Sequence, residues 1–169
     1  MADLEALTFR HPTPEDQPAV LAVLDDWWGE LEGASGSAQR ALLLPRLFFQ
    51  HFTGTSFVAE HEGQLAGFLI GFLSQSRPDE SYIHFVGVSP ALQGHGLGRR
   101  LYERFFEISR AHGRSRVRAL TSASNGGSYR FHLGMGFEVE PGPGLFEGRR
   151  THPDYDGPGL DRVLFSRAI

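Results

Sequence analysis

Val86-Gly-Val-Ser-Pro-Ala-Leu-Gln-Gly-His-Gly-Leu-Gly-Arg99 is the stretch on which the fold turns: a short apolar strand runs into Ser89-Pro90, then a glycine-spaced loop, then a helical pattern from Leu97. Gly94, Gly96 and Gly98 lack Cβ atoms, so the backbone can approach a ligand closely and aim its amides at an anion. Over Leu97 to Ala111, Leu97, Leu101, Phe105 and Ile108 form an inward stripe. Arg100, Glu103, Glu107 and Arg110 lie mainly outside it, and Gly113 can end the helix. The loop thus leads to a helix N-terminus, where unpaired N–H groups and the helix dipole favour negative charge. The stretch reads as a site for a phosphate-bearing ligand, against the plainer reading of a glycine-rich turn between a strand and a helix.

Two familiar phosphate loops do not fit. The dinucleotide fingerprint G-x-G-x-x-G needs glycine where Arg99 stands, and no Gly-Lys-Ser/Thr follows for a Walker loop. What remains is Val88-x-Pro90-x-x-Gln93-x-x-Gly96-x-Gly98, which resembles the GCN5-related N-acetyltransferase (GNAT) superfamily. A second segment agrees: Asn125, Ser128, Phe131-His132 and Gly136-Phe137 follow that family's order and spacing.

The resemblance implies an α/β (α+β) GNAT fold, with a mixed central sheet of six to seven strands, flanking helices, and strands 4 and 5 parallel and splayed. It implies acetyl-CoA as the acetyl donor, with Gln93, Gly94, His95, Gly96, Leu97, Gly98 and Arg99 around the pyrophosphate. Val86, Gly87 and Val88 would bind the cofactor through their main chain, and Asn125 and Ser128 would lie along the pantetheine arm. Asn125 also reads as a helix cap, and the two roles are compatible.

The implied reaction is acetyl transfer from the thioester to an amine by direct attack. An alkyl ammonium, pKa about 10.4, must lose a proton; the carbonyl oxygen needs a donor; the leaving thiolate, pKa about 8.5, profits from an acid. His84, four residues before Val88 on the fourth strand, is the candidate base; period two places it on the face of Tyr82, Val86 and Val88. Asp79 and Glu80 are alternatives, and a histidine simply hydrogen-bonded in the sheet is the competing reading. His132 stands where the family commonly has tyrosine. A neutral imidazole is a poor acid, so His132 is the second catalytic candidate with a hydrogen-bonding role open to it, and Tyr129 is an alternative phenol.

Composition agrees. The 169 residues, 40% of them apolar, suit one globular domain over 1–169. A net charge of −4 argues against a general nucleic-acid binder and leaves an anionic cofactor to backbone donors and a few arginines such as Arg99 and Arg100. The absence of cysteine removes disulfides, thiolate nucleophiles and Cys-based metal sites, and the histidines show no ligand spacing, so no metal is expected. Neither a signal-peptide pattern over Met1 to Leu7 nor an apolar run of about 20 residues is found, so a cytoplasmic protein without membrane contact is expected.

In chain order, the sequence predicts a strand over Leu7 to His11, a helix from Thr13 or Asp16 to about Leu31, and a flexible Gly33–Ala38 loop that reads first as a plain connector and second as a lid. A second helix is expected over Ala41 to Phe52, restarted at Pro45. By the resemblance, Trp27, Trp28, Phe48 and Phe49 would line an acceptor pocket; their helical spacing reads first as core, and a self-association surface, as in a homodimer, is a third reading. Strands follow over Ser56 to Glu60, Gln64 to Ser74, Ser81 to Val88 and Arg116 to Thr121, then a short capped helix and a sixth strand opened by Phe137. Val163 to Ala168 would close the sheet. The Gly/Pro-rich Gly142–Gly159 reads as a substrate-facing flap or a connector, with Asp154, Asp156, Arg149 and Arg150 pointing to opposite substrate charges. The acceptor is expected to be a small-molecule or amino-acid-like amine. A protein N-terminus, an O-acceptor or a longer acyl group also suits the motifs, and a non-catalytic acyl-CoA-sensing module is the alternative from another class.

Overall fold

The computed structural model describes residues 6–29 and 31–169. The N-terminal reading over Met1 to Leu7 rests mainly on residues outside that range, as does Glu30 near the expected end of the first helix. The elements are β1 (Leu7–Arg10), α1 (Asp16–Trp28), α2 (Gly33–Leu42), α3 (Phe48–His51), β2 (Phe57–His61), β3 (Gln64–Leu73), β4 (Glu80–Val88), α4 (Leu97–Ala111), β5 (Arg116–Ser122), α5 (Gly126–Gly134), β6 (Glu138–Glu140), β7 (Gly144–Phe146), β8 (Arg149–Thr151) and β9 (Arg162–Ala168). Seven strands form a mixed sheet in the order β1-β2-β3-β4-β5-β9-β6, with β4 and β5 parallel over Glu80–Tyr82 and Arg116–Arg118. The chain divides into two compact units: residues up to Phe72 with Ile83–Ile108, and Leu73–Tyr82 with Ser109–Ile169.

In the first unit β1, β2 and β3 are antiparallel neighbours. His61 pairs with Gln64 across Glu62 and Gly63, both at positive φ (51° and 75°), the conformation of the tight hairpin turn whose twist matches the strands. β3 is almost wholly apolar, and glycine lets α4 lie close on it: a Cβ at Gly71 would sit 2.4 Å from the ring of Phe105. Val20, Leu24, Leu44, Phe49, Phe68 and Ile70 form a core cluster that is essentially inaccessible. Asp16 ties the entry of α1 to the sheet: its carboxylate takes two hydrogen bonds from Arg10 (2.7 and 2.8 Å) and one from the Thr13 N–H, and Arg10 holds it below the ordinary carboxylate range.

The helical region differs from the expectation. The Gly/Ser patch is not a loop; it begins α2, and Leu43 to Leu47 separates α2 from the short α3 where one helix was expected. Packing overrides propensity here. Arg40 is only 6% exposed, and at Gly36 a Cβ would meet the Leu31 carbonyl oxygen at 2.6 Å and Arg40 Nη1 at 3.0 Å, so only a residue this small lets the turn close over the arginine. Pro45 has no N–H to extend α2. α1 stops at Trp28, because Gly29 turns to φ 55°.

In the second unit β9 does not close the sheet. It lies between β5 and β6, antiparallel to both, with Val163 and Phe165 fully buried. The edge falls to β6, whose three residues carry Glu138 and Glu140, charges suited to an unpaired edge. The Gly142–Gly159 tail is not a loose connector: it holds the β7–β8 hairpin, turning at Glu147-Gly148 with φ of 45° and 80°. Asp156 pairs with Arg162 at 2.7 Å, Asp154 accepts from the Gly159 N–H, and Arg149 donates to the Ala123 carbonyl, so three of the four charged residues left open for substrate are engaged within the tail and its unit.

Candidate functional site

The glycine loop is built as its sequence requires. β4 ends at Val88, Ser89 donates to the Ala66 carbonyl, and a 3-10 turn over Pro90–Leu92 buries Leu92. Gln93 Nε2 donates back to the Val88 carbonyl at 3.3 Å, and His95 Nδ1 donates to the Gln93 carbonyl at 2.9 Å. Gly94 and Gly96 take φ of 77° and 88°, which L side chains rarely adopt, and a Cβ at either would face open space. The first α4 bond is Arg100 N–H to the Gly96 carbonyl, so the N–H groups of Leu97, Gly98 and Arg99 precede the helix's own bonding. Backbone donors outside the helix's own bonding converge at the N-terminus of a 15-residue helix with the exposed Arg99 beside them; this arrangement fits a diphosphate.

β4 supplies the other first-unit candidates. At Gly87 a Cβ would lie 2.4 Å from the Phe68 ring and 2.9 Å from Trp28, so glycine is needed there for packing. His84 Nε2–H donates to the Leu43 carbonyl at 2.6 Å, which places the basic lone pair of the neutral ring on Nδ1, and the imidazole stacks on Phe48 at 4.4 Å. The expected face was wrong. His84 and Phe85 are consecutive, yet their ring centroids are 6.5 Å apart and both meet aromatics of the α1–α3 side, Phe48 for His84 and Trp28 and Phe68 for Phe85. Strict alternation would send them to opposite faces, so the strand's period is broken at His84, as at a β-bulge, and His84 shares a face with Phe85 and Gly87 instead of Val86.

The remaining candidates lie in the second unit. Glu80, one alternative base, is buried between Arg118 at 2.7 Å and Arg77 at 3.4 Å; Arg118 holds its pKa below the ordinary value, leaving it a carboxylate with little basicity. Asn125 caps α5, its Oδ1 accepting from the Ser128 N–H at 3.0 Å. His132 is 4% exposed, stacked on Phe165 at 4.4 Å, and its Nδ1–H donates to the Ser128 carbonyl at 2.8 Å. Burial pushes its pKa down to about 4, so the ring is neutral at pH 7. Tyr129 is half-buried, 5.9 Å from Phe165, with the Arg149 guanidinium over its ring.

His132 has a measurable consequence. Its folded pKa of about 4 lies below the unfolded value of 6.5, so between these pH values the unfolded chain binds the extra proton. The neutral ring's stability is present above pH 6.5 and is lost as the pH falls toward 4. Urea unfolding at pH 7.5 and pH 5 is expected to show a His132 contribution of about 2 kcal/mol lost on acidification, absent in His132→Phe.

The sequence reading missed how the aromatics are joined: Phe48 is linked through His84 to Phe85, which meets Trp28 directly, and the broken period that brings them together leaves no mark in the residue pattern. The exposed Leu42, Leu43 and Leu47 lie beside the same α2–α3 connection. Among the described residues no helix is long and apolar enough to cross a membrane, and no three His, Asp or Glu side chains gather as a metal site.

Comparison with known proteins agrees with this geometry. The chain is 34% identical over 79 residues to an L-2,4-diaminobutyric acid acetyltransferase of Nocardia farcinica, covering 47% of this chain and 41% of that protein. It is 33% identical over 116 residues to the N-alpha-acetyltransferase RimI of Mycobacterium tuberculosis, covering 64% of this chain and 66% of the relative. The chain thus spans less than two thirds of the length of either relative. Among solved structures, the diaminobutyrate acetyltransferase EctA of Paenibacillus lautus, in complex with its substrate and coenzyme A, superposes with a TM-score of 0.67 at 22% identity, over 94% of this chain and 93% of that one. The model of the acetyltransferase (GNAT) family matches residues 20–137, which hold both sequence motifs, and the chain belongs to that family.

Proposed function

We propose that this protein is an acetyl-CoA-dependent N-acetyltransferase acting on the primary amine of a small molecule. The observation that carries the reading is the Gln93–Arg99 loop, where two left-handed glycines and the open end of α4 present backbone donors to an anion in the family's own motif. When bound, acetyl-CoA supplies an activated acetyl thioester. The amides of Gly94 to Arg99 would hold its diphosphate, and the main chain of Val86 to Val88 would take its acyl end. His84 takes the amine proton at Nδ1 while its Nε2–H stays on the Leu43 carbonyl, which keeps the ring oriented. Asn125, Ser128 and His132 we assign to the cap and packing of α5. His132, neutral and with its Nδ1 proton held by Ser128, is poorly suited to protonate a thiolate.

A small amine also matches the diaminobutyric acid acetyltransferase relative, whereas the N-alpha-acetyltransferase RimI relative keeps a protein N-terminus as the second reading. Calorimetric titration with acetyl-CoA, followed by thiol release against a panel of amines, tests the proposal. Saturable binding and amine-dependent release are expected. A folded protein that does not bind acetyl-CoA overturns the donor assignment, and binding with no release from any amine points to a sensing module.

A further inference from the structure

The rings around His84 form a connected row within the first unit. Phe72 meets Phe52 at 5.7 Å, Phe52 meets Phe48 at 5.1 Å, and Phe48 stacks on His84 at 4.4 Å; beyond His84 come Phe85 at 6.5 Å and then Trp28 at 5.3 Å from Phe85. The row packs on the apolar core, yet all six residues are left half-buried. Large aromatic side chains left partly open side by side, with an imidazole in the middle, are a surface that has yet to be covered.

The charge around the row narrows what covers it. One charge recorded against these rings is a cation: the Arg40 guanidinium lies 5.9 Å over Trp28, with Nη1 on the Leu31 carbonyl and no hydrogen-bond partner at Nε or Nη2. Aromatic faces attract one ammonium group, which guides an amine toward His84. A second ammonium along the row meets Arg40, while an apolar body gains from covering the rings.

We propose that the acceptor is a primary amine carrying a single positive charge on an aromatic or branched apolar body, and that Phe48, Phe85 and Trp28 determine this preference. The inference rests on the acetyltransferase reading above and names the substrate class for that site.

The test compares 2-phenylethylamine, ethylamine and 1,4-diaminobutane as acceptors with the full chain and saturating acetyl-CoA. A kcat/KM for 2-phenylethylamine at least about tenfold above both others is expected, and Phe48→Leu should shrink that ratio mainly through KM. Equal values for ethylamine and 2-phenylethylamine, or a preference for the diamine, overturn the proposal while leaving the acetyltransferase reading intact. The wild-type panel decides the question even if Phe48→Leu fails to fold. If no amine is turned over, fluorescence separates the two ideas, since the chain's two tryptophans are Trp27 and Trp28. Saturable quenching by 2-phenylethylamine but not ethylamine upholds the aromatic acceptor site although the catalytic reading fails, and no quenching by either overturns the site as well.

Discussion

His84→Ala is expected to lower kcat with any amine acceptor by about 100- to 10,000-fold, the span that general base catalysis usually contributes, while acetyl-CoA affinity stays within about twofold. The geometry gives the reason. The Leu43 carbonyl can only accept, so the 2.6 Å contact fixes the proton on Nε2 and leaves Nδ1 as the proton acceptor. The Phe48 stack and the broken strand period hold that ring on the aromatic face. His84→Asn is the companion variant, since an amide keeps a hydrogen-bonding group there but accepts no proton at neutral pH; it should be about as slow. Stopped assays of thiol release, with circular dichroism to confirm folding, read the outcome. Turnover near the wild-type rate in both variants would remove His84 as the base.

The second large effect is at the loop. Gly96→Val should weaken acetyl-CoA binding by about 30-fold or more while costing about 1–2 kcal/mol of stability, the usual strain of a side chain in the left-handed region. Gly96 sits at φ 88° with open space where a Cβ would go, so the substitution meets no packing clash. Relief of the strain turns the neighbouring peptides and with them the amides that would face the diphosphate. Gly113→Val is the control. Gly113 also has positive φ, 72°, and open space, but it follows the C-terminus of α4. It should lose similar stability and keep its affinity. Calorimetry on both variants separates the two effects, and an unchanged dissociation constant for Gly96→Val would sink the diphosphate site.

Some of this was legible because local rules dictated it. The bounds of α4 were readable to the residue, since Leu97, Leu101 and Phe105 recur at helical spacing and Gly113 follows. The Gly94 and Gly96 turns and the Asn125 cap are likewise decided within a few residues of chain. The β7–β8 hairpin was missed although Glu147-Gly148 repeats the Glu62-Gly63 signal of the hairpin that was found; the shortness of strands of three residues hid it.

The sequence by itself therefore determined the strand–loop–helix unit, its left-handed glycine turns, and the family, because those depend on backbone angles and spacing that neighbouring residues set. Only the tertiary structure decided the rest. It placed β9 inside the sheet, because Val163 and Phe165 need cover that an edge does not give. It made Gly33–Ala38 helical, because Arg40 must be closed over by residues as small as Gly36. It turned His84 onto the face of Phe85, where contacts with Phe48 and Leu43, 36 and 41 positions away in the chain, hold a ring that strand periodicity would have sent to the other side.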